Sequence, residues 1–428
     1  MKSFCINRIA RMCASLARAA LERYQPGIIG VTGSVGKTST KNAICHLLRH
    51  QRRIRCAKKN FNNELGVSLT VLGDWDEIRG LFFWPRVLIM SFMRRMMGDP
   101  KYPELLILEY GADRPGDIKT LISIARPTIA CITAIGDVPA HVEFFTGPDA
   151  VAREKGKLIE SLPATGFAVL NADDEAVMNL RDRTRARVMT FGFAETAEVR
   201  MSQFENRSEN GVPKGISFKL EHNGSIVPVR IDGAFGLPQA YIAGAATCVG
   251  LIFGMNLVKL AEAFGSYTPT NGRMKLVDGI KNTFIVDDSY NASPLSMKRA
   301  LETIRDLAGP RKVAVLGDML EIGPYTAEAH EAIGALAAEV ANVIVTVGPH
   351  AKFIAEGARK VNFAGELKGF DSADDAKRAA QALIREGDIV LVKGSQGMRM
   401  ERIVEEIMKD PQSAPKLLVR QSKWWKKH

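Results

Sequence analysis

The stretch GVTGSVGKTST, Gly30–Thr40, follows the apolar run GIIGVT and precedes KNAICHLLRH. A short apolar strand, a glycine-bearing loop and a helix in that order make a phosphate-binding unit. Gly33 and Gly36 let the backbone turn tightly, so that successive N–H groups and the following helix N-terminus face an anion. On this reading Lys37 reaches the β- and γ-phosphates of a nucleotide and the Thr38 hydroxyl ligands Mg2+, with Gly33, Ser34, Gly36 and Ser39 as the remaining nucleotide contacts. The pattern is TGxxGKT[ST] rather than the usual GxxxxGK[ST], since Val31 stands where the first glycine belongs.

Outward from this loop, short β-branched runs alternate with helical stretches, which is the signature of a parallel α/β sheet. Strands are expected at Ile28–Thr32, Leu105–Glu109, Thr128–Thr133 and Phe167–Asn171. Between Arg200 and Gly233 the period changes to two, with a turn at HNGS, so a small antiparallel piece is expected there. After TNGRMK (Thr270–Lys275) a second α/β series begins, with strands at Thr283–Asp287, Lys312–Leu316, Val343–Val347 and Ile389–Val392. A domain boundary is placed near Asn271–Gly272. A length of 428 residues suits two or three domains of roughly 100–200 residues each.

Apolar content of 46% and charged content of 25% suit a soluble globular protein. The formal net charge is +11, and residues 1–60 hold thirteen Lys or Arg against one acid, Glu22. A second basic cluster, KWWKK, closes the chain at Lys423–Lys427. Such clusters can meet nucleic acid, anionic lipid or phosphate-bearing substrates, or simply form a solvated face. No recognised nucleic-acid module supports the first of these. Cysteines 5, 13, 45, 56, 131 and 248 show no CxxC pair and no metal-ligand spacing, and are expected as reduced, mostly buried thiols of a cytosolic protein.

Residues 1–24 form an amphipathic helix. Ile6, Ile9, Cys13, Leu16 and Ala20 share one face, and Arg8, Arg11, Ser15, Arg18 and Glu22 share the other. Arginines interrupt any signal-peptide core, and no run reaches 18 apolar residues, so no spanning helix is expected. The segment LFFWPRVLIMSFMRRMM, Leu81–Met97, lies in an apolar-basic insertion at about 76–104. Packing against the body and lying on an anionic membrane surface are both open for 1–24. For 81–97 the alternatives are a buried connecting helix and a surface helix touching lipid or a lipid-tailed substrate.

The run LLILEYGADRPGDI ends a strand at Glu109, delivering a carboxylate to the edge where ligands of open α/β folds bind. HVEFF supplies His141, and the helix AVAREKGKLIESL supplies Lys155. Singly, each has an ordinary account: a solvated strand-end acid, a structural histidine, a surface lysine. Together, the ordered series phosphate loop, NFNNELGVSLT, LEYGA, HVEFF, AREKGKL, NADD, GRMK, DDSYNASPLSM, LGDMLEIG and VKGSQGMRME resembles the Mur ligases over about residues 28–408. DDSYNASP points to the branch of that family whose incoming amine is D-alanyl-D-alanine.

The resemblance implies an α/β protein with a P-loop parallel-sheet ATPase domain at 25–271 and a Rossmann-like amine domain at 272–428. The family's UDP-sugar-binding N-terminal domain is expected to be missing, since only 24 residues precede the ATPase. The activity implied is ATP-dependent amide ligation in peptidoglycan precursor synthesis. ATP, two Mg2+ ions and CO2 held as a carbamate on Lys155 are the implied cofactors.

The resemblance makes Thr38, Glu109, His141 and Lys155 metal ligands, and brings Arg273 and Asp288 to the phosphates and ribose. Asn62 and Asn63 fall near the acceptor carboxylate, and Asn291, Ser296, Lys393 and Ser395 in motifs lining the amine site. At GLPQAYIAGAA the family's His-Asn pair and further Asn near adenine are replaced by Pro238, Gln239 and Ile242, leaving Gln239 as the local candidate. The implied partners are a small cell-wall precursor and an amino acid or dipeptide, with no nucleic acid. The implied place is the cytoplasm, including the inner face of the membrane through 1–24 and 81–97. The alternatives are a nucleotide-binding subunit that has lost ligation, or a ligase for a non-UDP, lipid-linked substrate.

Overall fold

The computed structural model describes residues 2–57, 61–75 and 82–427. Among them two sheets form. The strands of the first, in chain order, are β1 (Gly27–Thr32), β2 (Ile54–Cys56), β3 (Leu105–Glu109), β4 (Ile129–Ile132), β5 (Phe167–Asn171), β6 (Arg187–Gly192), β7 (Val199–Glu209), β8 (Val212–His222) and β9 (Ser225–Asp232). Across the sheet they run β2-β3-β1-β4-β5-β6-β7-β8-β9. Strands β2 to β7 pair in parallel, and β7, β8 and β9 pair antiparallel. The expected antiparallel piece is therefore no separate unit: it extends the parallel sheet at one edge.

In chain order the second sheet comprises β10 (Lys275–Asp278), β11 (Phe284–Asp288), β12 (Lys312–Gly317), β13 (Val343–Val347), β14 (Glu366–Phe370) and β15 (Ile389–Lys393), running β10-β11-β15-β12-β13-β14. Only β10 is antiparallel to its neighbour. The central strands are buried along their length, as β-branched runs covered by helices on both faces must be. Apolar clusters cover both faces of each sheet. One of them joins Val142, Val151 and Phe235 to Met297, Ile322 and other residues of the second unit, so the two units share apolar packing.

Two features place the site. β1 lies between β3 and β4, so the chain leaves it toward both sides of the sheet and opens a crevice at its carboxyl end. β11 and β15 are adjacent, with Asp288 opposite Lys393, and their carboxyl ends face the same crevice.

The helix Lys2–Tyr24 packs Cys13, Ala14 and Ala17 into the core, and it contacts the helix Glu64–Leu72 extensively. The part of its apolar face at Ile9, Cys13, Leu16 and Ala20 is thus packed on protein, while Arg8, Arg11, Ser15, Arg18 and Glu22 are exposed. The insertion forms the helix Phe83–Met97; Leu81 lies outside the described residues. It is not the buried connector that was one alternative. Phe83, Val87 and Ser91 face inward, whereas Phe82, Ile89, Phe92, Met93, Met96 and Met97 are 49–79% exposed.

The expectation of six reduced thiols is corrected. Cys45, on the helix Lys37–Leu48, is joined by a disulfide to Cys56 at the end of β2. The helix packs on that edge strand and brings the two Cα atoms within 6.4 Å, a proximity that a separation of eleven residues does not signal. Cys13, Cys131 and Cys248 are free and buried. The Cys5 side chain lies outside the described residues.

Candidate active site

The loop after β1 is shaped by glycine. Gly33 has φ 141°, and a Cβ there would lie 2.1 Å from Thr133 Oγ1; Gly36, at φ 90°, begins the helix Lys37–Leu48. The amine of Lys37 donates to Gly33 O at 2.8 Å, folded back over its own loop. Burial lowers its pKa, with Glu109 opposing and Arg273 adding to the effect. The Thr38 hydroxyl donates to Glu109 Oε2 at 2.9 Å, and from the second unit Arg273 Nη2 donates to the same hydroxyl at 3.2 Å. Lys41 Nζ stands 3.9 Å from Glu109 Oε2, so this buried carboxylate is set among cations.

Lys155 is 1% exposed, within the helix Pro148–Glu160. Its pKa is pushed down to about 7, first by burial and then by Lys37, against the pull of Asp113. A lysine so placed holds a large fraction of neutral amine near pH 7. His141 adopts φ 67° and stands between two acids. Its Nε2 is 3.5 Å from Asp113 Oδ1, and its Nδ1 is 2.6 Å from Glu321 Oε2, out of line for a hydrogen bond. Burial and Lys37 lower the His141 pKa, while Asp113 and Glu321 raise it.

On the second unit, Asp288 accepts from Lys393 Nζ at 2.5 Å and from Met274 N at 3.1 Å. Burial raises the Asp288 pKa against the pull of Lys393. Lys393 also donates to Asn291 O at 2.9 Å. Ser395 Oγ accepts from Leu320 N at 2.9 Å, and Asn291 Oδ1 from Gln396 N at 3.3 Å. Ser296 closes a capping box with Ser293 at the start of the helix Pro294–Asp306. Gln239 Nε2 donates to Arg273 O at 3.0 Å, and its buried Oε1 has no partner among the described residues. Arg273 Nε is likewise buried and unpartnered.

These groups line one cleft of about 1440 Å³ between the units. It takes in Ser34, Gly36, Lys37, Thr38, Ser39, Asn62, Glu109, His141, Gln239, Arg273, Asp288, Asn291, Ser296, Lys393 and Ser395. Three expected residues stand apart. Gly33 shapes the loop from behind. Lys155 is buried outside the cleft lining, close enough to Lys37 for that cation to help lower its pKa. Asn63 is turned away, its side chain accepting from Gly66 N at 2.9 Å as the cap of the helix Glu64–Leu72.

Residues that sequence reasoning passed over also meet here. Asp113 and Glu321 flank His141, and Tyr290 lies under Arg273. Behind the cleft, buried His330 accepts from Met319 N at 2.9 Å. Tyr290 and Glu321 fall inside the recognised motifs and Asp113 directly follows one, which was a usable signal; His330 lies in an ordinary helix and had none.

Among the described residues no three His, Cys, Asp or Glu side chains gather as a metal site. Thr38 and Glu109 nevertheless put two hard oxygens side by side. That suits Mg2+, which takes one or two protein oxygens and fills its shell with phosphate and water.

A family profile described as "Mur ligase middle domain" matches residues 88–246, and one described as "Mur ligase, glutamate ligase domain" matches 272–396. The UDP-N-acetylmuramoyl-tripeptide–D-alanyl-D-alanine ligase of Bacillus subtilis is 30% identical over 400 residues, covering 93% of this chain and 79% of that protein. Its Escherichia coli counterpart is 26% identical over 401 residues, covering 92% and 80%. Among solved structures, MurF from Acinetobacter baumannii superposes with a TM-score of 0.76 at 26% identity, covering 94% of this chain and 80% of that one. MurF from Thermotoga maritima in complex with ADP gives 0.75 at 27%, covering 93% and 83%.

Proposed function

The chain belongs to the Mur ligase family, and we propose that it is an ATP-dependent amide ligase that joins a cell-wall precursor carboxylate to D-alanyl-D-alanine, releasing ADP and phosphate. The observation that carries this reading is the convergence on Thr38 Oγ1. Glu109 from the first unit and Arg273 from the second meet there beside Lys37.

A carboxylate acylates poorly because its leaving group would be oxide, so it is first phosphorylated. Lys37 and Arg273 supply positive charge where the transferred phosphoryl group gathers negative charge, and the unpartnered Arg273 Nε is a donor still free for a phosphate oxygen. Thr38 and Glu109 would hold one Mg2+. His141 would hold a second together with Lys155 once the neutral amine of Lys155 has added to CO2 and lost a proton. The metal supplies charge neutralisation of the phosphates. Gln239 Oε1 would accept from the adenine amino group in place of the family's asparagine.

Asn62 lies on the acceptor side of the cleft. On the amine side Asn291, Lys393 and Ser395 hold the loops at the carboxyl ends of β11 and β15 in place, with Ser296 beside them. The units close over the acyl phosphate, which brings the neutral amine within about 3–3.5 Å of the acyl carbon and keeps water away. Phosphate release from UDP-N-acetylmuramoyl-tripeptide and D-alanyl-D-alanine tests the reading, and it should require both substrates. ATP turnover that ignores the amine would contradict it.

The exposed face of the helix Phe83–Met97 favours a refinement: peripheral attachment to the inner face of a membrane, where a lipid-linked acceptor would be presented. At about 100° per residue, Phe82, Ile89, Phe92, Met93, Met96 and Met97 form one stripe, nearly opposite the buried Phe83, Val87 and Ser91. Exposed Arg86 lies within the stripe and exposed Arg95 beside it, a pattern suited to an anionic interface. No helix of the described residues is long and apolar enough to cross a membrane. In flotation with anionic vesicles the full chain should rise with lipid, and a Phe92→Ser/Met96→Ser variant should stay below. Absence of the wild-type chain from the lipid fraction would remove the refinement and leave the ligase reading intact.

A further inference from the structure

We infer that Arg420, in the C-terminal tail, is a positioning residue for phosphoryl transfer: it fixes the Tyr290 ring on which Arg273 lies, and so aims Arg273 at the phosphate loop. The inference rests on the role given above to Arg273.

The tail beyond the last long helix, Glu401–Ile407, returns along the junction between the units. Lys409 N donates to Asp278 O at 2.8 Å, and Asn271 Nδ2 donates to Lys416 O at 2.8 Å. At the junction Gly272 has φ 66°, and a Cβ there would lie 2.9 Å from Val419 Cγ1 and 3.3 Å from Tyr290 Cβ, so tail, junction and loop are in close contact.

The side chain of Arg420 is 4% exposed. It donates to Ser289 O at 2.5 Å and Tyr290 O at 3.0 Å, and makes two bonds to Glu401 Oε2, at 3.0 and 2.7 Å. Glu401, 1% exposed, is shared with Arg399, which donates to Trp425 O at 2.8 Å. One planar guanidinium thereby ties two loop carbonyls to a buried carboxylate, a geometry that a lysine ammonium cannot reproduce.

The loop held this way carries Tyr290. The Arg273 guanidinium lies 4.1 Å from the centre of that ring, with the Arg420 guanidinium 5.8 Å from it. Among the described residues Arg273 otherwise has the single side-chain bond from Nη2 to Thr38 Oγ1 and an unpartnered Nε. Its aim therefore depends on the ring. A long side chain without that support spreads over many rotamers, and only a fraction of them reach the phosphates.

Full-length wild type, Arg420→Met, Arg420→Lys, Tyr290→Leu and Tyr290→Phe are to be compared by calorimetric binding of Mg-ATP and Mg-ADP and by turnover. Arg420→Met should bind ATP about tenfold more weakly with ADP affinity unchanged, since the aimed group serves the terminal phosphate, and kcat should fall by at least as much. Tyr290→Leu should resemble Arg420→Met, Tyr290→Phe, which keeps the ring, should lose less than Tyr290→Leu, and Arg420→Lys should fall between wild type and Arg420→Met. The Tyr290→Leu/Arg420→Met double variant should be no worse than Tyr290→Leu alone. Equal loss of ATP and ADP affinity, additive losses in the double variant, or wild-type behaviour of Arg420→Met would each overturn the inference. A wild type that binds ATP in this pattern but ligates nothing would instead sink the ligase reading alone.

Discussion

At the scale of single residues, burial does most of the chemical tuning. Lys155 sits within a closed wall beside Lys37, and its lowered pKa gives the neutral amine that carbamylation needs. Lys155→Ala should lower kcat by about 100-fold or more, the upper range for loss of a supporting metal interaction. Turnover of that variant at the wild-type rate without added chloride or bicarbonate would rule the carbamate out.

His330 illustrates the same physics in a structural role. It is fully buried, accepts from Met319 N and donates to Thr326 O at 2.6 Å, and burial pushes its pKa to about 4. Between pH 6.5 and 4 the unfolded chain takes up a proton here that the folded chain refuses, so stability is full above about 6.5 and is lost as pH falls through 4. The loss is at most about 3 kcal/mol. Asp287, pushed up to about 6 by burial, works in the opposite direction, so comparison with His330→Gln is needed to isolate the histidine. Unfolding midpoints from pH 7 to 4.5 should fall less steeply in the variant; parallel curves would contradict the assignment.

At the scale of elements, legibility followed burial. β3, β5 and β13 match their expected ranges because an apolar run enclosed on both faces has sharp ends. The unforeseen strands are β2, β6, β10 and β14. β2, β10 and β14 have few fully buried residues, and all three close sheet edges, so their sequences carry little periodicity. β6 mixes exposed Arg187 with a buried end. The helix Phe83–Met97 was ambiguous because it is apolar on two opposite faces, and only packing decides which one is covered. Val87→Ala on the inner face should cost about 1–3 kcal/mol, whereas Phe92→Ala on the outer face should stay within about 0.5 kcal/mol of wild type. Equal thermal shifts for the two would mean the outer face is also packed.

At the scale of the whole molecule, the site exists only where two units meet. Ordered motifs named Lys37, Glu109, His141, Arg273 and Asp288 because each lies in a short recognisable string, and all of them line the cleft. The same strings could not reveal how side chains divide their labour. Asn63 is spent on a helix cap, Ser296 on a capping box, and Asn291 and Ser395 on tying loops together. Nor could they join Cys45 to Cys56, or bring Arg420 from the tail to Tyr290, since both depend on distant packing. The chain spans about four-fifths of the length of the relatives it matches, with the ATP and amine elements inside that span. The central claim is that an acyl phosphate forms between the units before the amine attacks. It is tested most directly with UDP-N-acetylmuramoyl-tripeptide labelled with 18O in its terminal carboxylate, turned over with ATP and D-alanyl-D-alanine. One 18O atom should appear in the inorganic phosphate released with each amide bond; amide formation with unlabelled phosphate would contradict the account.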